Sequence, residues 1–301
     1  MKIDLSSLRP VELSDRARFD TALKKMGSQS CEACFPNIFM YRQPYGLEFV
    51  EISKRLVVYE RANRVIHYPI GAATGPEMLY HISAAFAEAG LTDGGIYDVP
   101  ESFLDDYPDC DQYFELEYDE GAIDYLFSIE KIASFTGPKL RKKHNLVKQF
   151  QANWPYAEVR KITKADIPVA AKLAGDLNSR LEQCEFLDEE ALALQNAWDN
   201  FEELGLSGIL LFAEPDYPAG VSIFSMLPSD TVDVHFEKAD HAVKGASQTL
   251  TWQLAVALRG KAKFMNREQD LNEENLRHAK RSLDPERFFK RYFLRGIPNT
   301  K

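Results

Sequence analysis

Hydrophobic periodicity changes in the same order twice along this chain, and that repetition limits the fold more than any single motif does. In the second run, residues 157–162 alternate as a strand, and residues 164–181 and 188–204 carry helical periodicity. Asp188 is placed to cap the latter helix and Gly205 to stop it. Residues 208–213, 220–226 and 231–238 then read as strands joined closely enough for an antiparallel meander. A helix follows at 246–258, with Ala246, Leu250, Leu254, Ala257 and Leu258 on one face. A strand at 262–265, a helix at 273–281 and a strand at 288–294 complete the run. The first run reads alike. Residues 11–26 and 34–41 look helical, and 47–52, 55–60 and 64–70 look like strands. A helix opens at Thr74-Gly75-Pro76-Glu77 and stops at Gly90, and strands follow at 95–99 and 113–118.

Strands of both pairing styles among helices predict an α/β protein with mixed, α+β-type sheets. The order β-α-α-β-β-β-α-β-α-β is that of the GNAT acyltransferase fold. Its repetition predicts two tandem GNAT-like acyltransferase domains. The expected division is an N-terminal domain at 1–137, a connecting basic helix at 138–156 and a C-terminal domain at 157–301. In the connecting helix, Leu146, Val147, Phe150 and Trp154 are expected to face a core, with Lys139, Lys142 and Lys143 pointing elsewhere.

Charge restricts the partners. The net charge of −10 opposes nonspecific nucleic-acid binding, yet cations cluster locally. Lys139, Arg141, Lys142, Lys143 and Lys148 occur within ten residues that contain no acid. Residues 259–295 hold 11 Lys and Arg against six Asp and Glu. Two such regions predict contact with a phosphate-bearing ligand, a solvated helix face being the plainer alternative. No run approaches the ~20 apolar residues that span a bilayer. The opening residues lack an apolar segment, which predicts a cytoplasmic protein, with peripheral attachment at the inner membrane face as a second location. Four cysteines form no disulfide framework, and Cys31 and Cys34 make a lone C-x-x-C without the further ligands of a zinc site. No metal is expected.

Four stretches carry a family resemblance: VHFEKADHAVKGASQTLTWQLA, KFMNREQDLNEENLRHAKRSLDPERFFKRY, FTGPKLRKKHNLVKQFQANWP and CFPNIFMYR. They resemble the DUF2156 family, which is similar to the C-terminal catalytic domain of bacterial phosphatidylglycerol lysyltransferase. The resemblance implies a pair of GNAT-like domains. It also implies transfer of an aminoacyl group from aminoacyl-tRNA to an acceptor, which is a lipid hydroxyl in the membrane-bound relatives. No membrane portion is visible in this sequence, so a small-molecule acceptor is expected equally with a lipid.

Strand alternation over 231–238 puts Asp233, His235 and Glu237 on one face. His235 and Glu237 are therefore the candidate catalytic pair for removing a proton from an attacking hydroxyl or amine. Lys238, Lys244, Gly245 and Ala246 lie at the turn into the next helix, where backbone N–H groups and a lysine can hold a phosphate-bearing donor. The usual coenzyme A pattern, Q/R-x-x-G-x-G/A, is not matched: His241 and Lys244 stand at its first and fourth places. Asn266, Arg267, Glu268 and Asp270 follow a short strand, at the sheet end where α/β proteins bind ligands. Lys280 is a further candidate for the same anion. The leading reading is an acyl- or aminoacyl-transferase. The alternatives are an acyl-CoA N-acetyltransferase and a non-catalytic protein that binds RNA or an anionic ligand.

Overall fold

The computed structural model describes residues 3–180 and 185–297. Two compact units are present, Met1–Ile123 with Phe289–Lys301, and Asp124–Phe288. Each carries the expected mixed sheet and helices, and the chain is an α/β protein of two units.

In the second unit, the antiparallel meander consists of Glu158–Lys161, Ser207–Glu214, Tyr217–Leu227 and Thr231–Ala239. The strand Phe264–Asn266 then joins in parallel, after the helix Ala246–Leu258. Leu250, Leu254 and Leu258 of that helix pack with Val232, Val234, Leu211 and Met265 of the sheet. Ala255 is buried beside them, while Ala257, assigned to this face by sequence, is only half-buried. The helices Ile167–Asn178 and Glu185–Asp199 precede the meander. Asp188 sits inside the second of these and is not its cap, because the helix already includes Glu185. Residues 181–184, which include Cys184 and the expected end of the first helix at Leu181, lie outside the described residues.

The first unit repeats the order. Leu47–Ile52, Arg55–Glu60 and Val65–His67 are antiparallel neighbours, and Val65–His67 pairs in parallel with Gly95–Pro100. Ser53 and Lys54, both at positive φ, make the tight turn that the sequence break marked. The helix Pro76–Glu88 buries Leu79, Ile82 and Phe86 against Val57, Ile66 and Ile96.

The sixth position of each sheet is filled from a distant part of the chain. In the first unit, Arg291–Gly296 lies between Gly95–Pro100 and Phe114–Tyr118 and is antiparallel to both. In the second, Asp124–Ser128 lies beside Phe264–Asn266, and Arg287–Phe289 is the last strand beyond it. The observed units thus differ from the division at 137 and 157. Tyr125 and Phe127 are fully buried with the second core, and Leu294 with the first. Burial of these side chains, rather than position in the sequence, assigns each strand to its sheet.

Candidate active site on the second sheet

A β-bulge reorganises the Thr231–Ala239 strand. Val234 pairs with Phe224 and Phe236 with Ile223, so His235 is the extra residue in the ladder. Before the bulge, Val232 and Val234 face the helix Ala246–Leu258 and Asp233 and His235 face away. After it, Glu237 is on the helix side, where it accepts from Thr251 Oγ1 at 2.6 Å. Lys238 is on the other side, paired with Glu190 of the helix Glu185–Asp199. The alternation read from sequence is therefore corrected: His235 and Glu237 stand on opposite faces.

His235 is buried. Its Nε2 is 2.9 Å from Ser225 Oγ, and its Nδ1 is 3.5 Å from Asp233 Oδ2 and 3.4 Å from Glu268 Oε1. Nδ1 makes no hydrogen bond among the described residues. Glu237 meets Arg267, whose Nη2 donates to Oε1 at 2.7 Å. Consecutive residues of one loop thus serve opposite faces, Arg267 reaching Glu237 and Glu268 reaching His235. They can do so because the parallel ladder ends at Asp233↔Asn266 while the Thr231–Ala239 strand continues. The sheet is open beyond that pair.

The loop is held from below by groups that sequence reasoning assigned to a ligand. Lys280 is buried and donates to the carbonyl oxygens of Arg267, Glu268 and Gln269. Asn266 donates to Asp124 Oδ2 at 2.8 Å and accepts from Glu268 N–H at 2.8 Å. Asp270 accepts from Tyr125 Oη at 2.6 Å and takes the Arg277 guanidinium on both oxygens at 2.8 Å. These three position the loop, including Glu268 at φ +54°, a conformation that a non-glycine residue holds only with such support.

Burial alone would raise the Asp270 carboxyl, but the Arg277 fork, the Tyr125 hydroxyl and the Asn272 N–H outweigh it and hold it below the ordinary range. A depressed carboxyl stabilises the fold above its unfolded value near ~3.9, and that contribution disappears as pH falls through the folded value. Asp270→Asn should therefore lower stability at neutral pH and flatten its acid dependence. Urea melts between pH 2 and 6 will measure this, and a variant with the wild-type slope would refute it.

The basic helix contributes to the same place. Arg141–Asn153 follows a short turn at Pro138–Leu140 and buries Val147 and Phe150. Lys139 pairs with Asp284 at 3.0 Å, and Arg141 and Lys142 are exposed. Lys143 is half-buried, not solvated as its sequence position suggests. Burial, and then the nearby Arg267 guanidinium, push its ammonium below the ordinary lysine range. Lys143 and Arg267 with Glu237 leave one net positive charge on the helix side. His235, Asp233 and Glu268 make the opposite side acidic. A cavity of about 260 Å³ also adjoins the helix side, lined by Phe150, Trp154, Val159, Leu211, Thr249 and Gln253.

The turn before the helix uses three of its N–H groups internally. Ala242 N–H donates to Asp240 Oδ1, Val243 N–H to Asp240 O and Ala246 N–H to Val243 O. Gly245 has φ +85°, and a Cβ there would lie 2.5 Å from Leu146 O of the basic helix. Its glycine is required by that close approach. Ala246 is fully buried, and Lys244 points to solvent.

Comparison with known proteins agrees with this layout. The fold is similar to that of a conserved protein of unknown function from Bacteroides thetaiotaomicron VPI-5482, with 25% identity and TM-score 0.90 over 97% of this chain and 99% of that one. L-PGS from Bacillus licheniformis is similar over 85% of this chain and 89% of its own, with 11% identity and TM-score 0.61. FemX is similar over 97% of both chains, with 8% identity and TM-score 0.63. The latter two likenesses are of fold alone. No curated protein matches the chain. No helix among the described residues is long and apolar enough to cross a membrane. The family model described as phosphatidylglycerol lysyltransferase, C-terminal, matches residues 23–295, and the chain belongs to that family.

Proposed function

We propose that this chain transfers an aminoacyl group from aminoacyl-tRNA to a hydroxyl or amine acceptor, at the opening in its second sheet. The observation that carries this reading is the division of charge across that opening. An aminoacyl ester bears an ammonium group next to the carbonyl under attack, and Asp233 and Glu268 offer it carboxylates. The tRNA end bears phosphates and bases. Lys143 and Arg267 offer the phosphates cations, and the cavity beside Trp154 and Phe150 offers a base an aromatic wall.

With Nε2–H donating to Ser225, His235 Nδ1 takes the proton from the attacking group. The carbonyl carbon then bonds to the acceptor, the ester C–O bond to the ribose breaks, and the departing ribose oxygen takes a proton in turn. The carboxylates beside His235 balance its charge while it holds the proton. Acyl-CoA is a weaker donor candidate, because the turn at Gly245 spends the N–H groups of Ala242, Val243 and Ala246 internally and packs against Leu146.

The test is an in vitro transfer assay with tRNA charged with labelled amino acids, lysine included. Acceptors are phosphatidylglycerol vesicles in one arm and small hydroxyl and amine compounds in another. Label should leave tRNA for an acceptor only when protein is present. Lys143→Ala with Arg267→Ala should weaken tRNA binding roughly tenfold or more, the scale of losing charge-assisted contacts. Micromolar binding of acetyl-CoA with no transfer from any charged tRNA would overturn the reading.

A further inference from the structure

The first unit contains a second polar cluster that the proposed reaction does not use. His67 ends the Val65–His67 strand, and Asp98 lies on the Gly95–Pro100 strand paired with it. His67 Nε2 is 3.0 Å from Glu60 Oε2, and Nδ1 is 2.5 Å from Asp98 Oδ2. Arg291 reaches Asp98 Oδ1 at 2.9 Å and Glu32 Oε1 at 3.4 Å. Asp98 has φ +63°, and strained backbone of this kind collects at functional sites.

Three observations point to a bound ion. One His67 nitrogen and one oxygen each of Glu32 and Asp98 lie within 4.8 Å of one another. They line a cavity of about 20 Å³, room for a single water or ion. Ser30 lines the same cavity, and its Oγ is buried without a hydrogen-bond partner among the described residues. Charge agrees with this: Glu32 and Asp98 meet Arg291 and Glu60 meets His67, so a divalent ion with a neutral imidazole balances these three carboxylates and one guanidinium.

We propose that His67, Asp98 and Glu32 bind one divalent cation of the zinc class, leaving a fourth position for a water that Ser30 Oγ hydrogen-bonds. His67 binds through Nδ1, whose proton leaves to solvent. Glu60 keeps the Nε2 proton and fixes the ring, the carboxylate–histidine–metal arrangement common around zinc. Arg291 holds the second Asp98 oxygen. Coordination at ~2.0–2.2 Å requires the His67–Asp98 contact to open by roughly 1 Å, which side-chain rotation supplies.

The experiment uses the full chain, stripped with a chelator and titrated at pH 7.5 with ZnCl2 against a chromophoric competitor. Wild type should take up one equivalent through this site, and Co2+ in its place should give visible d–d absorption. His67→Gln and Glu32→Gln should each weaken that equivalent by roughly 100-fold, and Ser30→Ala by roughly tenfold. Circular dichroism checks that each variant is folded. Absence of a stoichiometric equivalent in folded wild type, or unchanged affinity in His67→Gln, overturns the proposal.

Discussion

A chain ending at Lys290 should fail to fold its first unit, although only the last 11 residues are removed. Arg291–Gly296 is an interior strand: Tyr292 to Gly296 pair with Tyr118 to Phe114 on one side, and Arg291 to Arg295 with Pro100 to Gly95 on the other. Its loss unpairs backbone groups on both neighbours and removes Leu294, which is fully buried among Ile96, Phe86 and Phe114. Removing one buried leucine alone costs about 2–5 kcal/mol. With two opened sheet edges added, the loss approaches the ~5–15 kcal/mol that holds a domain together. Limited proteolysis should cut first within residues 3–123, and Leu294→Asp should reproduce much of the effect. Wild-type protease resistance and melting temperature in the shortened chain would refute the strand assignment.

His235→Gln should lower turnover by roughly 10²–10⁴-fold, the range for a general base, with little change in tRNA affinity. The separation follows from the bulge. Lys143 and Arg267 belong to the helix side, whereas His235 faces Ser225, Asp233 and Glu268. Glu268→Gln should therefore act with His235→Gln on turnover. Glu237→Gln should act instead on donor affinity, because it releases Arg267 and Thr251. Steady-state kinetics with pH–rate profiles distinguish the two. If Glu237→Gln matched His235→Gln on turnover and Glu268→Gln did nothing, the assignment of faces would be wrong.

The readable parts of the sequence were those governed by local periodicity. The helix Ala246–Leu258 was legible to its end residues because Leu250, Leu254 and Leu258 repeat at helical spacing. The turn at Ser53 and Lys54 was legible because two strand patterns meet there. Asp124–Ser128 was missed: a strand buried on both faces reads as an unbroken apolar run around Tyr125 and Phe127, with no alternation. The bulge at His235 was hidden because register belongs to the partner strand at Ile223 and Phe224 as much as to its own residues. Lys280 and Asp270 look like ligand groups in sequence, and only the loop's carbonyl oxygens and Arg277 show them turned inward. Ser30, Glu32, Glu60, His67, Asp98 and Arg291 share no spacing from which a cluster could be read.

The strand that completes the first sheet is made only after the whole of the second unit. At ~5–20 residues per second, a ribosome that has passed Ile123 takes roughly ten to thirty seconds more to reach Arg291. Throughout that interval, Gly95–Pro100 and Phe114–Tyr118 leave the exit tunnel with a gap where their shared neighbour belongs. The nascent first half is then open to wrong pairing, and cells making this protein rapidly should depend on chaperones that shield exposed strands until Arg291–Gly296 emerges.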